Sequence, residues 1–429
     1  MPAIRDGNAS APIRRRTIVT LLLGATVAAT HATRAQGGLA DSTATHAITT
    51  AFACTGEIVG NADGGRERGT AYTGAAAGQV TLLLRPLLGW RGARAFISVL
   101  GTHGRTPDRL VGDVQGVSNI AATAGVHLEE AWLQQNLLAN RLSLLVGRYD
   151  LNSEFYRLQS AAAFVNSSFG MGPEFAQSGA SGPSIFPHTS VGARIDFKPS
   201  RNTVWRLAVL DGVPVDRPRH ARAIFASGDG ALFVGEMALL SRPDTAVPMR
   251  GERFQIGRGR ARPYSAKVAI GGWYYTSSFP DLADTLSNGA PLRRRGSFGA
   301  YVLGDKTLWA QSGPRSLSVF AQLGLGDGRV NQIGGYLAGG LTFAAPIASR
   351  GQDLLGFAVA AALNGSHFER ARDALGIPAV GETTVELTYS AQIRSWLSIQ
   401  PDAQYVIHPG GTQALRNAIV PGLRIALSH

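Results

Sequence analysis

Residue types that carry catalysis are present in this 429-residue chain, but they form no recognisable catalytic motif. The sequence contains no H-E-x-x-H zinc motif, no G-x-S-x-G nucleophile elbow and no Walker sequence. Gly324, Gly326 and Gly328 form a G-x-G-x-G string, which ends a predicted strand and opens no helix, so it indicates a turn and not a phosphate cradle. The nine histidines are scattered without the spacing of metal ligands, and Cys54 is the only cysteine. We therefore predict no enzyme, no metal site and no cofactor.

The polar residues that the sequence does order occupy every second position of extended stretches. Residues 384–394 have a polar face of Glu386, Thr388, Ser390, Gln392 and Arg394 opposite an apolar face of Val385, Leu387, Tyr389, Ala391 and Ile393. A period of two is the signature of a β-strand, because successive side chains point to opposite faces of a sheet. Such a polar row can line a water-filled lumen, so the chemistry that it indicates is hydrogen bonding to a solute.

The same alternation recurs along the chain, so the polar rows are carried by several strands. Residues 397–407 continue the pattern after a short break, and residues 384–407 therefore predict a hairpin with a tight turn. Residues 191–198, 317–325 and 419–428 alternate as well. The composition agrees, since 53 glycines and only 16% charged residues suit strands and turns better than helices.

The N-terminal residues predict export. Three arginines at positions 14–16 precede an apolar run at 18–29, and residues 33–35 fit a cleavage site, so residues 1–35 are predicted to be a signal peptide. The apolar run is shorter than the ~20 residues that cross a bilayer as a helix. No other segment offers ~18 uninterrupted apolar residues, and we therefore expect no transmembrane helix.

Two all-β architectures can use amphipathic strands. A soluble sandwich buries the apolar face, whereas a membrane barrel turns it to lipid and turns the polar face to a wet lumen. Export, strands of about ten residues and aromatic residues near strand ends favour the barrel. Those aromatic residues are Trp205, Trp273, Tyr274, Trp396 and Tyr405. We predict an all-β, antiparallel transmembrane β-barrel of about 16 strands at residues 72–429, preceded by a segment at 36–71 that leads into the barrel or forms a periplasmic plug.

Stretches without a steady period predict loops at residues 152–189, 211–230 and 277–296. Residues 152–189 form the longest of them, and long loops in barrels fold inward or cover the mouth. A basic cluster at Arg258, Arg260 and Arg262 would decorate a loop that faces solvent or lipopolysaccharide phosphates. Nucleic acid is not an expected partner of an exported β protein.

Four blocks of sequence are distinctive. They read RLVGDVQGVSNI at 109–120, GRYDLNSEF at 147–155, VNSSFGMGPEFAQSGASGPSIFP at 165–187 followed by SVGARIDFKP, and ETTVELTYSAQIRSWLSIQPDAQYVIHPGG near the C-terminus. In the same order, these blocks resemble the OprB-type carbohydrate-selective porins. The resemblance extends over residues 52–429 and is therefore a property of nearly the whole chain after the predicted signal peptide.

The resemblance implies passive uptake of sugars through an outer-membrane barrel whose constriction is narrowed by inward loops. The residues that it assigns to substrate binding at the constriction are Arg105, Asp113, Gln115, Asn119, Arg148, Asp150, Glu154, Phe155, Asn166, Phe169, Ser184, Phe186, Arg194 and Asp196. Charged and amide side chains would exchange hydrogen bonds with sugar hydroxyls, and aromatic rings would stack on the apolar face of a pyranose. Binding of this kind must stay weak enough for release.

Several of these residues also have a purely structural interpretation. Asn119, Asn166 and Ser184 can hold loop backbone through local hydrogen bonds. Arg194 and Asp196 can form an ordinary ion pair in the lumen, and the two phenylalanines of the long loop can pack that loop. Both interpretations are open from sequence alone.

Two positions depart from the expected pattern. By strict alternation Arg148 shares a face with Leu144 and Val146, which should meet lipid, and it reaches the lumen only if the strand ends or bulges there. The chain ends in His429, where barrels of this kind commonly end in Phe, the residue that the barrel-assembly machinery reads. We expect this machinery to recognise the C-terminal strand even so, since an aromatic ring still occupies the terminal position.

Three functions are consistent with these patterns. The leading hypothesis is a porin for passive diffusion of carbohydrates, monosaccharides such as glucose, into the periplasm, with outer-membrane lipid and lipopolysaccharide as its surroundings. The second is a porin of the same fold that prefers anions or sugar acids, since a net charge of +12 and an excess of arginine would concentrate anions. The third is a soluble exported β protein that binds polysaccharide.

Overall fold

The computed structural model describes residues 47–214, 228–241 and 264–428. Its strands are β1 (Ile48–Asn61), β2 (Asp63–Gly65), β3 (Gly69–Leu83), β4 (Ala93–Gly104), β5 (Gly125–Leu137), β6 (Leu142–Tyr149), β7 (Ser190–Phe197), β8 (Thr203–Asp211), β9 (Ala231–Ser241), β10 (Ala266–Thr285), β11 (Pro291–Ala310), β12 (Ser316–Gly326), β13 (Ile333–Ala344), β14 (Leu354–Asn364), β15 (Glu382–Arg394), β16 (Leu397–Ile407) and β17 (Arg416–Ser428). The short helices are α1 (Leu84–Leu88), α2 (Asp108–Val111), α3 (Pro173–Ala176) and α4 (Ser366–Asp373).

The strands form one closed antiparallel sheet. Each strand pairs with its neighbours in sequence, and β1 pairs with both β3 and β17, so the sheet has no free edge. The three-residue β2 pairs with the N-terminal end of β17 and does not span the wall. The predicted barrel of about 16 strands is confirmed, with sixteen spanning strands. None of the helices in the described ranges has the length and apolar character that a membrane-spanning helix requires.

Alternation of side chains gives the wall an apolar outer face and a polar inner face. In β15, Leu387 is 52% exposed, whereas Thr384 and Glu386 are completely buried. The same contrast separates the outward Leu323 from the inward Gln322 in β12. A continuous outer band of leucine, isoleucine, valine and phenylalanine suits lipid and not water. The soluble β protein considered from the sequence is therefore wrong.

The two ends of the barrel differ in their connections. At one end, named here the turn end, residues 138–141, 198–202, 311–315 and 395–396 form short turns. At the other, named here the loop end, residues 105–124 (loop 2) and 150–189 (loop 3) form the long connections. The predicted loop at 152–189 is confirmed, and so is the tight turn of the C-terminal hairpin between β15 and β16.

Two predicted boundaries are wrong. The wall begins at Ile48 and not at residue 72, because β1 lies within the range that was assigned to a leading segment or plug. Residues 277–296 were expected to be a loop, but β10 and β11 run through them as a long hairpin. Register shifts between Tyr275 and Ser278 and again before Thr285 break the alternation, which is why the sequence pattern fails there.

One of the aromatic residues that were predicted near strand ends, at the membrane interface, faces the lumen instead. Trp273 lies on the inner face and stacks on Phe175 at 4.1 Å between ring centroids, while its neighbour Tyr274 is exposed on the outer face. Neighbouring residues of a strand point to opposite sides, so only one of the two can reach the membrane interface. The other aromatic residues that were predicted near strand ends are exposed, which are Trp205, Trp396 and Tyr405.

Some predictions concern residues outside the described ranges. These are the signal peptide at 1–35, the basic cluster at Arg258, Arg260 and Arg262, and the terminal His429. Most of the predicted loop at 211–230 also lies there.

Loop 3 folds into the lumen and packs on the inner wall. Its side chains Phe155, Tyr156, Phe164, Phe169 and Phe175 are each at most 1% exposed. They pack against wall residues of β10 to β14, which are Trp273, Tyr301, Phe320, Tyr336 and Ala358. The close contact requires glycine in the wall, because a Cβ on Gly324 would lie 1.9 Å from Glu174 Oε1. Loop 3 thereby fills the part of the lumen beside β10 to β14.

The apolar outer face predicts a large effect of a charge placed in it. Leu387→Arg puts a guanidinium near the middle of β15 against lipid, which we expect to lower the free energy of unfolding by about 2–4 kcal/mol. The measurement is a denaturant titration in lipid vesicles. The control is Leu375→Arg, because Leu375 is 72% exposed in the loop after α4 and should tolerate the same change. Equal destabilisation by both substitutions would contradict the assignment of the outer face.

Candidate pore constriction

Loops 2 and 3 meet across the lumen and leave a cavity of about 460 Å³ between them. From loop 2, Asp108, Asp113, Gln115, Ser118 and Asn119 line it. From loop 3, the lining includes Asp150, Asn152, Ser167, Gln177 and Phe186. The lining combines carboxylates, amides and hydroxyls with a few apolar side chains, which is the composition that a site for a polar solute needs.

Loop 2 is held against the wall by hydrogen bonds to its backbone. Glu382 of β15 accepts from Val114 N at 2.9 Å, from Gln115 N at 3.0 Å and from Gly410 N at 2.7 Å. Gln404 of β16 donates to Val117 O at 2.9 Å. Charge-assisted bonds to a carboxylate are stronger than neutral ones, and a loop buried away from water must have its N–H groups satisfied. The inner wall therefore fixes the position of the loop 2 residues that line the cavity.

Loop 3 is held by the same device. Glu386 of β15 accepts from Val165 N at 2.6 Å and from Asn166 N at 2.9 Å. Asp305 of β11 accepts from Ser160 N at 2.9 Å, and Glu236 of β9 accepts from Tyr156 N at 2.9 Å. The acidic residues of the inner wall thus act mainly as acceptors for loop backbone.

A network of charged side chains anchors the beginning of loop 3. Glu154 pairs with Arg194 at 2.7 Å and accepts from Tyr149 Oη at 2.8 Å. Arg206 pairs with Asp196 at 3.0 Å and donates to Glu154 O at 2.8 Å. Burial acts to raise the pKa of Glu154, but the Arg194 and Arg206 guanidiniums outweigh it and lower that pKa to about 2. The carboxylate of Glu154 therefore stays ionised and bound at neutral pH.

Apart from Arg148, the predicted site residues divide into three groups. Five of them line the cavity between the loops, which are Asp113, Gln115, Asn119, Asp150 and Phe186. Seven lie where loop 3 meets the wall, or within that wall, outside the lining; Glu154 is half-buried and the others are buried, which are Phe155, Asn166, Phe169, Ser184, Arg194 and Asp196. Arg105 is exposed at the loop end and donates its backbone N–H to Tyr72 O at 2.8 Å. For the first group, contact with substrate stays a prediction.

For the second group, the structure favours the structural interpretation. Asn166 binds Gln404 Oε1 through Nδ2 at 3.0 Å, and Ser184 donates to Tyr149 O at 2.7 Å. Asp196 is engaged by Arg206 and Lys198. Asn119 of the first group lines the cavity and also has a structural contact, because its Nδ2 donates to Phe164 O at 3.0 Å.

The assignment of Arg148 to the lumen is wrong. Arg148 of β6 lies opposite Ala131 of β5, and its side chain is on the same face of the strand as the exposed Leu144 and Val146. Its guanidinium donates to Leu128 O at 3.3 Å. The strand does not bulge before this residue, so alternation places its side chain on the outer face.

The sequence missed an aromatic and guanidinium platform on the inner wall. Phe96 of β4 stacks on Trp132 of β5 at 5.0 Å between ring centroids, and the Arg94 guanidinium lies 5.3 Å from the Trp132 ring. Arg94 also donates to Gln134 Oε1 at 2.8 Å. Alternation in β4 could have assigned Arg94 and Phe96 to the lumen. Trp132 could not be assigned to the lumen from sequence, because β5 has a register shift against β4. Ser98 pairs with Glu130 but Val99 pairs with Leu128, so the alternation of β5 changes phase there.

One group of described residues has the side-chain types and spacing of a metal site. It consists of Asp281, Asp284 and His367, near the loop end. Asp281 already accepts from His367 Nδ1 at 2.7 Å and from Arg294 Nε at 2.5 Å, and Arg294 also binds Asp284 at 2.7 Å. These contacts satisfy the carboxylates and join α4 to β10 and β11.

Comparisons with known proteins agree with this architecture. The family model of the carbohydrate-selective porins, OprB family, matches residues 67–428. The chain is 23% identical to Porin B of Pseudomonas aeruginosa over 402 residues, which covers 86% of this chain and 85% of that protein. The solved structure of Pseudomonas putida OprB at high pH has a TM-score of 0.77 and 20% identity, and the match covers 89% of this chain and 94% of that one. The channel DcaP of Acinetobacter baumannii has a TM-score of 0.53 and 10% identity, over 89% of this chain and 97% of that one.

The contacts of Glu386 predict that it keeps loop 3 in the lumen. In Glu386→Ala, the N–H groups of Val165 and Asn166 lose their acceptor at a cost of about 1–3 kcal/mol each, so loop 3 should loosen and single-channel conductance should rise and become noisier. Planar-bilayer recording measures both. Glu386→Gln keeps one acceptor oxygen and should lie between the two. Conductance in the alanine variant that equals the wild-type value would show that Glu386 does not position the loop.

The lowered pKa of Glu154 predicts an acid-dependent contribution to stability. Because the folded pKa lies below the usual value near 4.5, the contribution is complete above that value and is lost as the pH falls towards about 2. The difference in free energy of unfolding between wild type and Glu154→Gln should therefore be larger at about pH 6 than at about pH 3. Chemical denaturation at both pH values measures it, and an unchanged difference would contradict the anchoring role.

Proposed function

Since the chain belongs to the OprB family of carbohydrate-selective porins, we propose that it passes monosaccharides such as glucose by passive diffusion through the outer membrane into the periplasm. The observation that carries the choice of solute is the Phe96–Trp132 platform, which lies on the lumen wall beside guanidinium and amide donors. A polar cavity also lies between loops 2 and 3. A wide, uniformly polar pore would not need either feature.

The platform has the chemistry that a pyranose ring requires. The flat faces of Trp132 and Phe96 would offer apolar surface to the C–H face of the sugar, and the Arg94 guanidinium would donate hydrogen bonds to its hydroxyls. Arg94 Nε has no hydrogen-bond partner among the described residues. Few contacts of this kind give weak binding, which a channel needs for release as well as for entry.

The difference between the two ends of the barrel supports an orientation. Bacterial barrels carry long loops on the outside and short turns on the periplasmic side, so the loop end would face the medium. Exposed arginines of that end, such as Arg293 and Arg295 on the outer side of β11, would then lie at the level of lipopolysaccharide phosphates. Export through the predicted signal peptide at 1–35 and recognition of β17 by the barrel-assembly machinery complete the proposal.

A preference for sugar acids is less well supported. It requires free positive charge in the lumen, but two of the lumen arginines are engaged by carboxylates. Arg194 pairs with Glu154, and Arg206 pairs with Asp196 and lies 3.5 Å from Glu236.

The proposal predicts that glucose binds measurably at the platform. Glucose titrated against single-channel conductance should reduce the current in a saturable way. In Trp132→Ala the loss of one stacking surface, about 1 kcal/mol, should weaken this effect roughly fivefold. Trp205→Ala is the control, because Trp205 is 52% exposed on the outer face. A protein that forms no conducting pore, or a Trp132→Ala variant with wild-type glucose affinity, would refute the proposal.

A further inference from the structure

We propose that the constriction between loops 2 and 3 selects for positively charged solutes and, among sugars, favours amino sugars over sugar acids. This inference rests on the proposed function, since it concerns which sugars pass the same pore. It reverses the expectation that the net positive charge of the chain suggests.

The carboxylates of the cavity come from both loops. Asp108 and Asp113 belong to loop 2, and Asp150 stands at the start of loop 3. None of the described residues that line the cavity is lysine, arginine or histidine. A solute that crosses between the loops therefore meets carboxyl groups on two sides, and the described lining adds no positively charged side chain.

The three carboxylates that line the cavity have unused acceptor atoms. Both carboxylate oxygens of Asp113, Oδ1 of Asp108 and Oδ2 of Asp150 are buried without a hydrogen-bond partner in the described residues. By contrast, Glu154 is engaged by Arg194, and Glu382 and Glu386 are occupied by loop N–H groups. The acids at the constriction thus have acceptor capacity that the protein itself leaves unfilled.

The electrostatic surroundings of these residues show the same lack of compensation. Burial, followed by the Asp108 and Glu382 carboxylates, raises the pKa of Asp113 well above its usual value. The pKa of Asp150 is also raised, by burial first and then by the Glu130 and Glu129 carboxylates. A cation that entered this region would favour the ionised form of these carboxyl groups.

An independent observation comes from an uncharged residue. Gln115 is only 3% exposed and lines the same cavity. Its Nε2 is committed to the wall, at 3.3 Å from Thr384 Oγ1 and 3.3 Å from Glu382 O, while its Oε1 has no partner in the described part of the chain. The amide is therefore fixed with its donor used and its acceptor free.

The unused atoms of the cavity are acceptors, and this decides the chemistry of the solute. An ammonium group supplies three donors and a positive charge, whereas a carboxylate supplies only acceptors and would be repelled. A chelated metal ion fits less well, because the described residues with ligand atoms close enough for chelation are Asp281, Asp284 and His367 and not these acids. A protonated amino sugar combines an ammonium group with the pyranose ring that the Trp132 platform suits.

The first test is the reversal potential of the purified pore in a KCl gradient at about pH 8, where carboxyl groups of raised pKa are most fully ionised. The wild type should be cation-selective, with a K⁺ to Cl⁻ permeability ratio on the order of 10. Asp108→Asn, Asp113→Asn and Asp150→Asn together should bring this ratio close to 1. Each variant is first shown to be folded by the heat-dependent change of its mobility in gel electrophoresis. If the triple variant does not fold, Asp113→Asn and Asp150→Asn alone should each lower the ratio.

The matched control removes the same charge elsewhere at the loop end. Asp63→Asn, Glu369→Gln and Asp373→Asn change residues outside the cavity lining and should leave the selectivity unchanged. An anion-selective wild type, or a triple variant at the cavity with wild-type selectivity, would overturn the inference.

A second measurement separates this inference from the proposed function. In a liposome-swelling assay, glucosamine should enter at least about threefold faster than glucuronate, and the triple variant should lose this difference. Equal rates for glucose, glucosamine and glucuronate would refute charge selection while leaving the sugar pore intact. Failure of glucose itself to enter would refute the proposed function instead.

Discussion

The constriction depends on one kind of interaction, in which a buried wall carboxylate accepts the backbone N–H groups of a loop. Loops 2 and 3 leave the surface and enter the lumen, where their backbone must find partners other than bulk water. Glu382 holds Val114 and Gln115, and Glu386 holds Val165 and Asn166. These bonds offset the cost of burying both the charge and the polar backbone. Without them, the aromatic packing of loop 3 would have no fixed register against the wall.

This arrangement gives the acidic residues of the lumen two separate roles. On the strands, Glu386 accepts from loop backbone and Asp196 is paired with Arg206. On loop 2, Asp113 keeps both carboxylate oxygens without a partner in the described residues, at the cavity between loops 2 and 3. The guanidinium of Arg94 lies with Trp132 on the inner wall of β4 and β5.

The fold was predictable because a barrel wall is a local pattern repeated many times. Alternation placed Glu386 and Leu387 on opposite faces, and the structure bears this out. The pattern failed where register shifts change its phase, as in β10 after Tyr275 and in β5 before Trp132. It could not find the tethers either, since Glu386 and Asn166 are 220 residues apart in sequence. The side chains that meet at the constriction are set by loop packing, for which a single sequence carries no periodic signal.

The most direct test of this account is amide hydrogen exchange, resolved to single residues, on the folded protein in detergent. If the wall carboxylates fix the loops, the amides of Val114, Gln115, Val165 and Asn166 should exchange as slowly as those of the β15 strand. The amides of Ser312 and Gly313, in the exposed turn between β11 and β12, should exchange rapidly and serve as the internal reference. Rapid exchange of the four tethered amides would contradict the central claim, because loops 2 and 3 would then not be held in the lumen by the wall.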